Sequence, residues 1–289
     1  MKQLLVLSGK GGTGKTTLVS SFIKLGGFKA FADCDVDAPN LQLISGQSGI
    51  LPEKAHYLGM DKVSIDSSLC IECGLCQDNC RFNSIEQTED GKYRVNHYSC
   101  EGCGVCKEFC PADAISWKKN IAGETQVYHG ESFLSTAKLK MGEGNSGLLV
   151  NQVKENLKKI DEPYAIVDGS PGIGCPVISS LSGVHMVILV TEPSLSGISD
   201  LERIVETAQG FKINPFVVIN KYDINMDKTE TIEQWCNEKG LTILGKIPFE
   251  KSCNHLLNQK SSLVEGKTDA AMEIQSIHRK AMKILKDIK

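Results

Sequence analysis

The sequence lacks several things, and each absence narrows its role. No stretch approaches the ~18 consecutive apolar residues from which a membrane-spanning helix is read. Charge of one sign is not in excess. The 32 Lys and Arg stand against 35 Asp and Glu, a net of −3, so the whole chain exerts no pull on nucleic acid, and no local basic patch stands out to replace one. The first residues enter an apolar run at once, without the basic segment and short apolar core of a secretory leader, so a cytoplasmic location is expected. The six histidines, His56, His97 and His255 among them, form no constellation with metal-ligand spacing. They read as surface or core residues. Cysteine, by contrast, is plentiful. Twelve cysteines in such a chain argue for metal ligation or redox chemistry rather than a disulfide framework.

At 289 residues the chain exceeds one modal domain of about 100–150 residues, so two domains or one domain with an insertion are expected. Organisation starts at the N-terminus. The apolar run Leu4, Leu5, Val6, Leu7 reads as a strand, and GKGGTGKTT follows it from Gly9 to Thr17. Gly9, Gly14, Lys15 and Thr16 fit G-x-x-x-x-G-K-[ST], a P-loop signature when it joins a strand to a helix. Backbone N–H groups of Gly11, Gly12, Thr13, Gly14, Lys15, Thr16 and Thr17 are then the phosphate cradle. Lys15 supplies positive charge, and the Thr16 hydroxyl is a ligand for Mg²⁺. Residues 16–25 read as the helix, ended by Gly26 and Gly27. A short strand over 30–32 delivers Asp33, Asp35 and Asp37. Carboxylates at a strand end beside a P-loop sit where Mg²⁺ and attacking water are managed, although turn-forming or capping aspartates give the same pattern.

Between about 61 and 119 the composition changes. Cys70, Cys73, Cys76 and Cys80 form C-x2-C-x2-C-x3-C, and Cys100, Cys103, Cys106 and Cys110 repeat it, with Pro111 after the second copy. In the bacterial ferredoxin run the fourth cysteine of each motif ligates the other motif's cluster. That assigns Cys70, Cys73, Cys76 and Cys110 to one [4Fe-4S] cluster and Cys80, Cys100, Cys103 and Cys106 to the other. Tetrahedral zinc also uses C-x2-C pairs, but it leaves the third cysteine of each triplet and the x3-C spacing without a purpose. Cys175, Cys236 and Cys253 have no such spacing. Cys175 reads as a core or loop thiol.

Beyond the cysteine module, strands are expected over 125–127 and 132–136. A charged, Gly-rich loop follows over 138–147, and then a helix over 148–160. The loop is either a coupler between module and helix or a solvated connector. Residues 164–167 form a buried strand ending in Asp168, followed by Ser170, Pro171 and Gly172. Further strands are expected over 186–190, 216–219 and 242–244, and a helix from about Asp200. The chain ends in an amphipathic segment, 269–289, which suits a closing helix packed on the sheet better than an interfacial one.

Lys10, a second lysine directly after the first glycine of the loop, makes this stretch similar to the deviant Walker A (SIMIBI) ATPases, the MinD/ParA/Mrp superfamily that also holds the nitrogenase iron protein. Ferredoxin motifs in the middle and ATPase motifs on both sides extend the resemblance to essentially the whole chain, as a family member with an inserted 2[4Fe-4S] ferredoxin domain. The resemblance implies an α/β fold: a mostly parallel, doubly wound P-loop NTPase sheet from residues 1–60 and 120–289, with an α+β ferredoxin-like domain inserted at 61–119. It implies that Lys10 acts across a dimer on the partner's phosphates, with a homodimer or a heterodimer with a similar ATPase as the working unit. DCDVDAPNL resembles switch I, which makes Asp35 the residue that positions the hydrolytic water. DGSPG resembles Walker B and switch II, in which Asp168 reaches Mg²⁺ through water. Asn220, in NKYD, is expected to face adenine together with Pro248 and Phe249. The same string matches the guanine-reading N-K-x-D of GTPases, so ATP and GTP both stay open, with Lys10 favouring ATP. Arg81 follows Cys80 where ferredoxins usually carry proline.

The implied activity is Mg-dependent ATP hydrolysis, slow without a partner, coupled to electron transfer through the clusters toward a redox protein partner. Two alternatives stand beside it, a cluster carrier of the Mrp type and a redox-sensing regulatory or positioning ATPase.

Overall fold

The computed structural model describes residues 1–47, 49–250 and 262–288, so Cys253 and His255 lie outside the described residues. The strands are β1 (Lys2–Ser8), β2 (Ala30–Asp33), β3 (Glu53–Leu58), β4 (Lys62–Ile65), β5 (Ile85–Gln87), β6 (Tyr93–Val95), β7 (Ile115–Lys118), β8 (Ile121–His129), β9 (Phe133–Leu139), β10 (Tyr164–Pro171), β11 (Met186–Thr191), β12 (Phe216–Asn220) and β13 (Ile243–Ile247). The helices are α1 (Lys15–Leu25), α2 (Leu75–Asp78), α3 (Val105–Glu108), α4 (Ser146–Leu157), α5 (Cys175–Leu181), α6 (Gly197–Gly210), α7 (Met226–Glu238) and α8 (Asp269–Asp287). Two compact units share them. One comprises Met1–Lys54, Thr125–Lys138 and Gly147–Lys289, the other Ala55–Glu124 and Leu139–Ser146. No described helix is long and apolar enough to cross a membrane.

The larger unit is built on the parallel run of strands β13-β12-β11-β1-β10-β2-β9. The pairings from β13 through β2 to β9 are all parallel. Strands buried on both faces need no polar alternation, which is why β1, β10 and β11 read as continuous apolar runs. Leu4 and Val6 of β1 join one core cluster with Leu18, Val19 and Phe22 of α1 and Ile274, Ile277, Ala281 and Leu285 of α8. Leu5 and Leu7 point the opposite way and are as fully buried, so helices cover both faces of the sheet. Each fully buried leucine contributes about 1.5–3 kcal/mol. The apolar stripe of α8 is therefore spent inside the core, as a closing helix requires. Because β1 lies between β10 and β11, Ser8, Asp33, Asp168, Thr191 and Asn220 come out along the carboxyl edge of one parallel sheet, where open α/β sheets bind ligands.

The smaller unit is an internal repeat offset by 30 residues. Strands β4 and β7 pair antiparallel with Ile65 opposite Ile115, and β5 and β6 pair antiparallel with Ile85 opposite Val95. Each half carries a four-residue helix begun by a glycine in the left-handed region, Gly74 at φ 76° and Gly104 at φ 77°. At Gly104 a Cβ atom would also lie 2.9 Å from the Trp117 ring, so only glycine fits. Val63, Cys76, Ile85, Cys106 and Ile115 form the small core.

Candidate nucleotide site and cysteine cavities

The phosphate loop leaves β1 at Gly9 and enters α1 at Lys15. Gly14 takes φ 93° to make that turn, and a Cβ there would lie 2.3 Å from the Asn220 amide nitrogen. Asn220 donates from that nitrogen to the Thr13 carbonyl at 2.7 Å, and its amide oxygen accepts from the Lys221 N–H at 3.0 Å. Both polar atoms of Asn220 thus hold backbone, and its place in the structure is a tether between β12 and the loop. Lys221 adds a second tether, donating to the Gly12 carbonyl at 3.3 Å. The first turn of α1 carries no acidic residue and no side-chain cap, leaving its N–H groups open to an anion.

Lys15 is nearly buried and ion-paired with the fully buried Asp168. Burial opposes the lysine's charge, but the Asp168 carboxylate, with help from Asp33 and Asp35, outweighs it and holds the ammonium above its ordinary pKa. The other oxygen of Asp168, Oδ2, is buried without a partner. A buried acceptor without a donor costs about 1–3 kcal/mol and calls for a donor or a cation. The donor set fits Mg²⁺, a hard cation that takes oxygen ligands. It consists of that orphaned oxygen and the Thr16 hydroxyl, which lies 3.3 Å from Lys15 Nζ. Asp33 does different work. Its buried carboxylate accepts from the N–H groups of Asp35 at 3.1 Å and of Asn40 and Leu41 at 2.9 Å each. It caps the loop on which Asp35 rides. Burial first, then repulsion from Asp168, pushes it up to about 7. Asp35 is half-buried, and burial likewise raises its pKa against the pull of Lys15. Asp37 is exposed. The end of β2 is stitched to β10 by the Cys34 N–H donating to the Asp168 carbonyl at 2.7 Å and by the Ser170 hydroxyl donating to the Cys34 carbonyl at 2.5 Å.

Lys10 points back into its own chain. It pairs with Glu192 at 2.8 Å and donates to the Ser194 hydroxyl at 3.0 Å. The second oxygen of Glu192 accepts from Lys221 at 3.1 Å, so one carboxylate bridges the two lysines that flank the loop. Burial alone would raise the Glu192 pKa, but the two lysines prevail and lower it. Its role was not legible in the sequence. The available signal was position, since an acid directly after a fully buried parallel strand stands on the ligand edge. On the far side of the loop, the Phe249 N–H donates to Asp223 at 2.7 Å, next to the half-buried Pro248. Cys175 is exposed at the first position of α5, not in the core, and Cys236 is buried in α7.

The eight motif cysteines line two separate cavities. Cys70, Cys73, Cys76 and Cys110 wall one, with Ile71, Leu75 and Tyr93; Cys80, Cys100, Cys103 and Cys106 wall the other, with Phe82, Glu101 and Val105. The first three cysteines of each motif are thus gathered with the fourth cysteine of the other. Backbone N–H groups donate to the fourth sulfurs in matched fashion, Ser84 to Cys80 Sγ and Ala114 to Cys110 Sγ, both at 3.3 Å. Burial, and then the neighbouring thiols Cys100, Cys103 and Cys80, push Cys106 up to about 11. Two cavities walled by four sulfurs fit iron-sulfur clusters.

A model of the CobQ/CobB/MinD/ParA nucleotide-binding domain matches residues 4–263. An uncharacterised protein of Methanocaldococcus jannaschii is 31% identical over 96% of this chain and 95% of its own length. A ferredoxin of Pyrobaculum islandicum is 33% identical over 80 residues, 28% of this chain and 72% of that one. Among solved structures, the septum site-determining protein MinD of Pyrococcus horikoshii, complexed with Mg-ADP, has the same fold, with a TM-score of 0.59 at 16% identity over 98% of this chain and 96% of that one. The P-loop at the edge of a parallel sheet and the match over most of the chain agree, and the protein belongs to the CobQ/CobB/MinD/ParA nucleotide-binding family.

Proposed function

We propose that the protein is a cytoplasmic, Mg-dependent ATPase that works as a nucleotide-sandwiched dimer and couples that switch to electron transfer through two [4Fe-4S] clusters. The observation that carries this reading is the gathering of the eight cysteines into two crossed sets of four around separate cavities in a P-loop protein. The ferredoxin-like stretch supports the same reading. Cys70, Cys73, Cys76 and Cys110 hold one cluster, and Cys80, Cys100, Cys103 and Cys106 the other. When bound, each supplies one-electron redox chemistry.

The chain's own residues do the rest. Gly11 to Thr17 cradle the phosphates of ATP. Lys15 leaves Asp168 for the β- and γ-phosphates, and the freed carboxylate joins the Thr16 hydroxyl in holding Mg²⁺. Asp35 orients the water for in-line attack, on a loop that Asp33 fixes by three backbone hydrogen bonds. Lys10 moves from Glu192 to the phosphates of the partner protomer, so the pair it makes in the single chain is the resting state of a switch. Asn220 and Lys221 hold the loop in register, and Pro248 and Phe249 border the base. A redox protein receives or supplies the electrons.

The test is anaerobic, redox-poised EPR of the full chain with and without a non-hydrolysed ATP analogue, beside a cluster-transfer assay. Two [4Fe-4S] signals, with midpoint potentials or acceptor reduction that respond to the analogue, are expected. Unchanged potentials and acceptor reduction end the coupling, and transfer of clusters to an apo-acceptor makes the protein a carrier instead.

A further inference from the structure

The 30-residue repeat makes each cysteine cavity a control for the other. Backbone contributions are matched: the N–H to sulfur distances are equal, and the two short helices begin from glycines of nearly the same φ. Side chains are not matched. The residue after the first cysteine lines its cavity in both halves, and it is Ile71 in one and Glu101 in the other. Other equivalent wall positions exchange one apolar or aromatic group for another, such as Leu75 for Val105 and Ala112 for Phe82, and one exchanges Ala114 for the hydroxyl of Ser84. Among the described residues that wall the two cavities, Glu101 is the one carboxylate. Arg81 and Lys107, which follow Cys80 and Cys106 in the chain, are not wall residues. Arg81 is exposed, Lys107 half-exposed, and Glu72, beside Cys73 in the other half, exposed without lining its cavity. Glu101 is exposed as well, so solvent screens all four, and what sets Glu101 apart is its place in a cavity wall.

We propose that Glu101 sets the two cluster sites apart, holding the one bound by Cys80, Cys100, Cys103 and Cys106 at the lower reduction potential. The inference rests on the reading that both cavities hold clusters. Net charge beside a cluster is one of the levers on its potential, and an anion in the wall disfavours the added electron. Ile71 offers no such charge. The site of Cys70, Cys73, Cys76 and Cys110 is therefore reduced first, and the site beside Glu101 second. Glu101 is a tuning residue and ligates nothing.

The test is a reductive titration of the anaerobic full-length protein with dithionite, followed by EPR, with iron and acid-labile sulfide measured on the same samples. The wild type is expected to show two one-electron steps at least tenfold apart in equilibrium constant, which is about 59 mV. Glu101→Gln and Glu101→Ile both bring the second step toward the first, because charge and not shape is removed, and Glu101→Asp keeps the separation. The reciprocal Ile71→Glu drives the first step down. If Glu101→Gln leaves both steps in place while iron and sulfide show both sites filled, this inference is overturned and the two-cluster reading survives. Iron and sulfide sufficient for no more than one cluster overturn that reading, and the inference with it.

Discussion

Among the described residues each unit contains one buried lysine paired with a carboxylate, and the two pairs are finished differently. In the cysteine module, Lys62 and Glu143 meet at 3.0 Å with side chains 8% and 14% exposed. Lys62 also donates to the His97 carbonyl at 2.6 Å, and the second oxygen of Glu143 accepts from Asn120 at 2.7 Å. Every charge there has its partners inside the module. In the nucleotide unit, Lys15 and Asp168 are more deeply buried, at 6% and 0%, yet Asp168 Oδ2 has no partner at all. Low dielectric makes an unfilled valence expensive. A pair left incomplete in the deeper place therefore marks a working site, and a completed pair marks a fastener. Lys62 and Glu143 fasten residues 139–146 to the module, whereas the Lys15–Asp168 pair leaves one carboxylate oxygen unfilled.

The largest effect expected from this comparison comes from breaking the completed pair. Lys62→Met leaves Glu143 buried without its cation, which costs about 3–5 kcal/mol. Trp117 lies in the module and Trp235 in the nucleotide unit, so a Trp235→Phe background reports the module alone in denaturant unfolding. The loss should be the same with and without Mg-ATP. A loss that nucleotide restores means that the pair is not a fastener.

The incomplete pair gives a smaller effect of opposite sign. With Mg-ATP at 100 times its dissociation constant, the nucleotide unit gains about 2.7 kcal/mol by mass action, read from Trp235. Asp168→Asn, which removes the charge awaiting the cation, should abolish the Mg²⁺ dependence of that gain. The Trp117 transition should not move. Equal gains in both units would erase the distinction drawn between the pairs.

Local motifs were legible because their chemistry is local. Gly14, Lys15 and Thr16 lie within one turn at the start of α1, and the cysteine spacing carries its own geometry. Central strands were legible too, since β1, β10 and β11 are buried on both faces. What escaped reading depends on partners far along the chain. The amide of Asn220 is spent on Thr13, 207 positions away, and Glu192 gains meaning only from Lys10 and Lys221. Helix α7 was missed because MDKTETIEQWCNE buries only Thr229, Ile232 and Cys236, too few for a clear apolar stripe. Strand β8 runs over 121–129 where the sequence suggested 125–127, because its exposed positions mask the alternation.

A third buried lysine extends the comparison, because among the described residues no carboxylate forms an ion pair with it. Lys154 of α4 caps the end of α5, donating to the carbonyls of Ser180 and Ser182 at 2.5 Å each and of Ser179 at 3.5 Å. Those carbonyls come from the last turn of α5 and the residue beyond it, where a helix leaves acceptors unfilled and a cation is favoured. Lys154→Met strands them at a cost of about 1–3 kcal/mol. The cost depends on pH. Burial is the main cause that lowers the Lys154 pKa from 10.5 to about 8, so between those values the unfolded chain binds more protons than the folded one. Wild-type stability therefore rises with pH across that window, by at most about 1.4 kcal/mol per pH unit, whereas the methionine variant lacks the effect. Denaturant unfolding of both proteins from pH 7 to 10, read at Trp235, should show the gap widening. A gap that narrows with pH would mean that the charge on Lys154, and not the three carbonyls it fills, is what holds α4 to α5.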